Sequence, residues 1–232
     1  MLTLTFHGHS FIEINNGAES LLLDPFITHN PVCTLTLDRL SEKNITHIFI
    51  THGHADHVGD TLEIQKMFPD CQIVTVYGLA KYLTAQWATN VHWFGIGGTY
   101  RDAWRDLTAK FFTAVHDGGI MESGLSTWPA GILCTRGGKK IYHAGDSALT
   151  KDFELLAPYE VDVALLPIWD IYTMDIDDAT LATQMIAPKQ VIPMHYNTRP
   201  KINADTLQFA ELIRSKTSAQ PLILAPGESW TS

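Results

Sequence analysis

Between Thr51 and Asp60 the chain reads THGHADHVGD, with three histidines and two aspartates in ten residues. Imidazole and carboxylate together are the ligand set of zinc, manganese and iron. In an extended segment the side chains at i and i+2 point the same way, so His52 and His54 can face one ion. Gly53 between them gives the backbone room to turn. Asp56 and His57 follow one turn later and would face a second ion. A lone H-x-H says little, because His7-Gly8-His9 supplies another in the same chain. That pair is expected to line the pocket or, in the case of His9, to stand behind the ligands. The pattern H-x-H-x-D-H is a stronger signal, since it fixes four ligand-type residues at once.

More such residues stand where apolar runs end. THIFIT runs into His52, AKFFTAV into His116, KIYHAG into Asp146 and QVIPM into His195. The C-terminal ends of strands in an α/β core gather on one edge, where sites are built. His52, His54, Asp56, His57, His116, Asp146 and His195 are therefore expected to meet in one metal site. Two divalent ions about 3.5–4 Å apart need a bridging anion, for which Asp146 is the natural candidate. A water in the remaining bridge would have its pKa lowered toward roughly 7. The expected cofactors are two divalent ions, zinc first, with manganese or iron as alternatives. The chemistry is metal-assisted hydrolysis by a bridging hydroxide. In it Asp56 accepts the proton of the water while ligating, and His195 helps stabilise the developing oxyanion. Asp170, Thr173, Tyr196 and Asn197 lie just beyond strand ends and are candidate substrate contacts. His29, His47 and His92 lack such a context and read as structural, and His143 as a core or supporting histidine.

These residues need a scaffold, and the hydrophobic pattern supplies one. LTLTFH, SFIEIN, SLLLD, THIFIT and CQIVTVYG read as strands in the first half, with helices over TLEIQKMF and LAKYLTAQW. In the second half AKFFTAVH, GILCTRGGKKIYHAGD with its Gly-Gly turn, VDVALLPIWD, QVIPMHYN and PLILAP read as strands. Helical segments fall at ATLATQMIA and ADTLQFAELIRSK. Two β-rich halves, each with helices, predict an α/β fold of two sheets packed face to face with helices outside.

Composition sets the bounds. A chain of 232 residues, 45% hydrophobic and 18% charged, can bury a sizeable core and suits a single domain over 1–232. A formal net charge of −9 argues against nucleic acid as the default partner. MLTLTFHGHS has neither a basic nor a long apolar start, so no signal peptide is expected, and no run of about 18 apolar residues predicts a membrane span. Cys33, Cys71 and Cys134 are far apart and odd in number, which fits reduced thiols and a cytoplasmic location. The expected partner is a small-molecule substrate; self-association stays open.

The order THGHADH, His116, Asp146, His195 resembles the hallmark of the metallo-β-lactamase-fold hydrolases. FHGHSFIEI, LLLDPFITHNP, THGHADHVGD, IYHAGDSAL, ALLPIWDIYTMD and VIPMHYNT narrow the resemblance. It falls on the small metal-dependent hydrolases of the UPF0173 type, related to the L-ascorbate-6-phosphate lactonases. The resemblance spans nearly the whole chain and implies an αββα four-layer sandwich. By analogy His52, His54 and His116 would hold one metal, Asp56, His57 and His195 a second, and Asp146 would bridge. Asp24 looks like the family's aspartate that orients a ligand histidine. An aspartate at 146 disfavours the lactam-hydrolysing subclass that uses cysteine. The short segment after His195 disfavours glyoxalase II and flavodiiron relatives. What the resemblance implies is a hydrolase of a lactone, a phosphodiester or another ester. A nuclease of the same superfamily and a non-catalytic metal or ligand sensor are the alternatives. Where the family reads PIGDNFTMG, this chain reads PIWDIYTMD, so Trp169 is expected to narrow the cleft.

Overall fold

The computed structural model describes residues 1–121 and 123–232. Sixteen strands run, in chain order, β1 Thr3–Phe6, β2 Ile12–Asn15, β3 Ser20–Leu23, β4 Ile45–Phe49, β5 Gln72–Val76, β6 Val91–Phe94, β7 Thr99–Asp102, β8 Leu107–Thr113, β9 Gly119–Ile120, β10 Leu125–Ser126, β11 Ala130–Arg136, β12 Lys139–His143, β13 Val163–Pro167, β14 Gln190–Met194, β15 Gln220–Pro221 and β16 Ser229–Thr231. They form two seven-stranded sheets, ordered β16-β1-β2-β3-β4-β5-β6 and β15-β14-β13-β12-β11-β8-β7, with β9 and β10 paired apart. Among the described residues six α-helices accompany them: α1 Leu37–Leu40, α2 Ala55–Val58, α3 Thr61–Met67, α4 Tyr77–Ala85, α5 Ile176–Ile186 and α6 Thr206–Lys216. Helix α4 packs on β5 and β6, α5 on β13, and α6 on β15, so helices flank the pair of sheets in the αββα sandwich.

Burial explains the strand sequences. Every residue of β4 and of β13 is buried, because each of these strands is covered on both faces. Hence ITHIF and VALLP read as continuous rather than alternating runs. The Gly137-Gly138 pair turns β11 into β12 with both φ positive (56° and 72°), the conformation a two-residue hairpin loop requires. Aspartates start the long helices: Asp175 accepts from Asp178 N at 2.8 Å, and Asp205 from Leu207 N and Gln208 N at 2.9 and 3.1 Å. Between the sheets, Phe94 stacks on Phe111 with centroids 5.9 Å apart, and Phe49 meets Tyr100 edge-on at 6.1 Å. Cys71 and Cys134 are buried free thiols. No helix among the described residues is long and apolar enough to cross a membrane.

Strand direction places the site. In the first sheet β1 is antiparallel to β2 and β2 to β3, while β3 to β6 are parallel. So β1, β3, β4 and β5 all end at one edge. In the second sheet β8 and β12 are both antiparallel to β11, and β12, β13 and β14 are parallel. The ends of β8, β12, β13 and β14 therefore share an edge too.

Some expected elements differ. The strand expected over 71–78 stops at Val76, and Tyr77-Gly78 already belong to α4. VDVALLPIWD is strand only over Val163–Pro167, and beyond it the chain turns. PLILAP pairs only at its start, since β15 is Gln220–Pro221. The chain then crosses to the other sheet, where β16 pairs with β1. Loss of the Phe111 ring would open a cavity between the sheets. Phe111→Ala is expected to lower unfolding free energy by about 3–5 kcal/mol in denaturant titration. A loss under about 1 kcal/mol would contradict this packing.

Candidate metal centre

Three imidazoles converge first. His52 Nε2 lies 3.0 Å from His54 Nδ1, and His116 Nε2 lies 3.3 Å from the same atom. The hydrogen bonds on their far sides fix two of the tautomers. Thr51 Oγ1 donates to Asp24 Oδ2 (2.7 Å), so the His52 Nδ1–H must donate to Thr51 Oγ1 (3.0 Å), leaving Nε2 as a bare lone pair. The His116 Nδ1–H donates to the carbonyl of Tyr172 (3.1 Å), which leaves its Nε2 bare as well. Two lone pairs thus crowd one ring nitrogen that carries at most one proton. A cation among the three nitrogens resolves the conflict. Ligand atoms on a tetrahedral zinc are about 3.3 Å apart, close to what these nitrogens show.

A second set adjoins the first. His9, Asp56, His57 and His195 each offer an atom within 4.8 Å of the others. Asp146 touches both sets: its Oδ1 is 3.4 Å from His57 Nε2, and its Oδ2 is 3.2 Å from His195 Nε2 and 3.6 Å from His116 Nε2. His57 Nε2, Asp146 Oδ1 and both ring nitrogens of His195 are buried without a hydrogen-bond partner. Orphaned polar atoms of this kind call for an ion or water. The donor set therefore fits divalent cations.

Supporting groups hold these side chains still. Asp24, wholly buried, accepts from Thr51 N (2.8 Å) and from His57 Nδ1 (2.7 Å) in addition to Thr51 Oγ1. His9 lies 3.0 Å from Asp56 Oδ2 through Nε2 and 2.9 Å from Thr198 Oγ1 through Nδ1, and its ring sits 3.7 Å from that of His195. The backbone closes the same contact, with His195 N donating to His9 O at 2.7 Å. Gly53 does more than free the turn. A Cβ there would lie 2.8 Å from Gly119 O and Ile120 Cα, so its absence lets the β9–β10 hairpin press onto the histidine loop.

Electrostatics follow from burial and carboxylates. Burial lowers the pKa of His52 and His116 despite Asp146 nearby. Burial and then the neighbouring His195 push His9 down to about 4. Burial opposes charge on His57 too, yet Asp146 and Asp24 outweigh it and hold its pKa well above the usual range. Asp56 and Asp146 sit far below the ordinary carboxylate range: burial alone would raise them, but the His9 hydrogen bond and the surrounding imidazoles prevail. The pocket favours ionised carboxylates and a positive charge between them.

Above these groups opens a cleft of about 1030 Å³. His54, Asp56, His116, Asp146 and His195 lie on its wall. Tyr82 and Gln86 come from α4 and its C-terminal cap, Met121 and Ser123 from the β9–β10 hairpin, and Arg199 and Ile202 from the loop after β14. Trp169 and Tyr172 complete it; the Trp169 ring lies flat against His195, 5.3 Å away at 8°.

Comparison with known proteins places this arrangement. Residues 19–196 match the family described as Beta-lactamase superfamily domain. A UPF0173 metal-dependent hydrolase of Heliobacterium modesticaldum is 38% identical, over 100% of this chain and 98% of the relative. One from Bacillus cereus is also 38% identical, over 99% of this chain and 100% of the relative. The chain belongs to the UPF0173 metal-dependent hydrolases. Among solved structures, the metallo hydrolase Igni18 of Ignicoccus hospitalis superposes with a TM-score of 0.89 at 34% identity, over 99% of this chain and 97% of that one. This UPF0173 chain is thus a metal-dependent hydrolase with the metallo-β-lactamase fold.

The four expected substrate contacts, Asp170, Thr173, Tyr196 and Asn197, lie elsewhere than on this cleft wall. Asp170 and Thr173 spend their backbone on a tight turn, with Thr173 N donating to Asp170 O at 2.7 Å. Tyr196 turns away from His195 to stack on Phe6 (6.4 Å), and Asn197 Oδ1 accepts from Ala204 N at 3.0 Å. The left-handed backbone at His195 (φ 57°) and Asn197 (φ 53°) sends these neighbours to the far side. His143 donates from Nε2 to Ser10 O (2.8 Å) while its Nδ1 accepts from Gly145 N (3.1 Å), so both nitrogens are used in a clasp between the sheets. The cleft residues of α4, of the hairpin and of the 199–202 loop carried no signal in the sequence.

Because His9 is the sole described hydrogen-bond partner of Asp56, His9→Ala should free that carboxylate. The expected result is at least about tenfold weaker retention of divalent metal in chelator competition. Wild-type retention would show that Asp56 is held by other means.

Proposed function

We propose that this UPF0173 hydrolase is binuclear and cleaves a small ester, lactone or phosphodiester. The observation that supports the reading most is Asp146, which reaches both imidazole sets at the floor of one cleft. His52, His54 and His116 would hold one ion, Asp56, His57 and His195 the other, with Asp146 shared. When bound, such ions polarise the scissile carbonyl or phosphoryl oxygen and lower the pKa of a water between them toward about 7. Zinc suits a set this rich in imidazole, and manganese or iron suits its carboxylates.

The chain's own groups complete the chemistry. Asp56, partly exposed to the cleft and ionised, would take a proton from the attacking water at Oδ1, the oxygen not bonded to His9. His9 holds the other oxygen still. Trp169 and Tyr172 cover the His195 side and keep bulk water from it. The apolar wall of Tyr82, Met121, Trp169 and Ile202 receives the non-reacting part of the substrate. A nuclease reading finds less support, since Arg199 is the one lysine or arginine on the described cleft wall and the net charge is −9.

Three measurements test this. Reconstituted protein should carry about two divalent ions per chain by elemental analysis; one ion or none contradicts the binuclear reading. Asp146→Ala should lower both metal content and turnover, the latter by several orders of magnitude, with the circular dichroism spectrum unchanged. Near wild-type turnover would put the shared ligand elsewhere. Trp169→Leu should keep its metal and change the ratio of kcat/KM between flat aromatic and alkyl esters by at least about tenfold, or 1.4 kcal/mol. An unchanged ratio would make Trp169 a packing residue only.

A further inference from the structure

The described cleft wall contains one positive side chain that the reaction does not use. Arg199 stands four residues after His195, on a loop that the backbone clamps from several sides. Asn197 N donates to Ile202 O (2.5 Å), Ile202 N to Arg199 O (3.0 Å), and Ala204 N to Asn197 Oδ1 (3.0 Å). Thr198, just before it, is buried and bonded to His9. The backbone at Arg199 is therefore held in place relative to the metal centre, while its side chain is exposed.

Its guanidinium differs from the other arginines near the sheets. Arg105 and Arg136 are both tied to Glu19, and Arg105 also to Asp102. Arg199 has no such partner among the described residues. The carboxylates of its own cleft are engaged elsewhere: Asp56 and Asp146 with imidazoles at 3.0 and 3.2 Å, and Asp117 with the backbone N–H of Gly119 at 3.1 Å. Tyr82, Gln86, Ser123 and Ile202 on the same wall are uncharged, and Asp117 is the one other described charge there outside the metal centre. A planar fork of donors with no carboxylate partner among the described residues matches a carboxylate or a phosphate, which it can bind through two parallel hydrogen bonds.

We infer that Arg199 is a specificity residue for an anionic substrate. The ester or lactone bears a carboxylate or phosphate group on the part remote from the scissile bond, and Arg199 receives that group while the apolar wall packs the segment between. This rests on the hydrolase reading above and narrows its substrate class.

The test compares metal-loaded wild type, Arg199→Ala and Arg199→Lys on two esters of nearly equal size, para-nitrophenyl pentanoate and the mono-para-nitrophenyl ester of glutaric acid. Wild type should prefer the anionic ester by at least about tenfold in kcat/KM, as a charge-assisted contact permits. Arg199→Ala should abolish the preference and leave the neutral ester unaffected, and Arg199→Lys should keep part of it. Equal rates on both esters in wild type, or an equal loss on both in Arg199→Ala, overturns the inference. If wild type cleaves neither ester, the ester substrate class fails and the anion subsite is decided by binding. Calorimetric titration with phenylacetate and with phenylphosphonate should then give at least about tenfold weaker affinity in Arg199→Ala for one of them. The ligand so affected identifies carboxylate or phosphate, and equal affinities for both overturn the subsite.

Discussion

The centre depends on the Asp24 carboxylate. Wholly shielded from solvent, it binds Thr51 through both backbone and hydroxyl and His57 through Nδ1. A buried carboxylate is tolerated only when such partners satisfy it, and removing one partner of a buried charge costs about 3–5 kcal/mol. Through Thr51, Asp24 sets the His52 tautomer; through His57, it directs Nε2 toward Asp146. One residue at the end of β3 thereby orients imidazoles that begin at the end of β4, the neighbouring parallel strand.

The two halves of the site come from different sheets, so their alignment depends on contacts across the sandwich. His195 N to His9 O, His143 to Ser10 O, and Ala130 N to Thr51 O (3.0 Å) tie strand ends of one sheet to loops of the other. His9, Asp24 and His195 all adopt positive φ (60°, 48° and 57°). Non-glycine residues take that conformation at an energetic cost of order 1–3 kcal/mol, which the surrounding hydrogen bonds offset. The sharp reversals turn side chains from the strand direction into the cleft floor.

How much of this is legible in the sequence depends on locality. His52, His54, Asp56 and His57 lie within six residues, and His116, Asp146 and His195 each follow an apolar run, so one-dimensional pattern is enough to single them out. Their supporting partners are harder to see: the carbonyl of Tyr172 behind His116 has no side-chain signature. The cleft wall is harder still. Tyr82 and Gln86 face it only because α4 packs on β5 and β6, and Gly78 has no Cβ to clash with Thr127. Tyr196 and Asn197 adjoin His195 in sequence but point away, because the left-handed turns decide direction. Edge strands β6 and β7 and the returning β16 escape the sequence pattern for a related reason. VHWF is only half buried, and SWT is a strand solely by pairing with β1, more than two hundred residues earlier.

The central claim is that two cations sit side by side and share Asp146. Anomalous diffraction at the absorption edge of the bound metal, from crystals of the reconstituted protein, tests it most directly. The account predicts two peaks about 3.5–4 Å apart, one among His52, His54 and His116, the other among Asp56, His57 and His195, with Asp146 between. A single peak, or a second one away from Asp146, would contradict it.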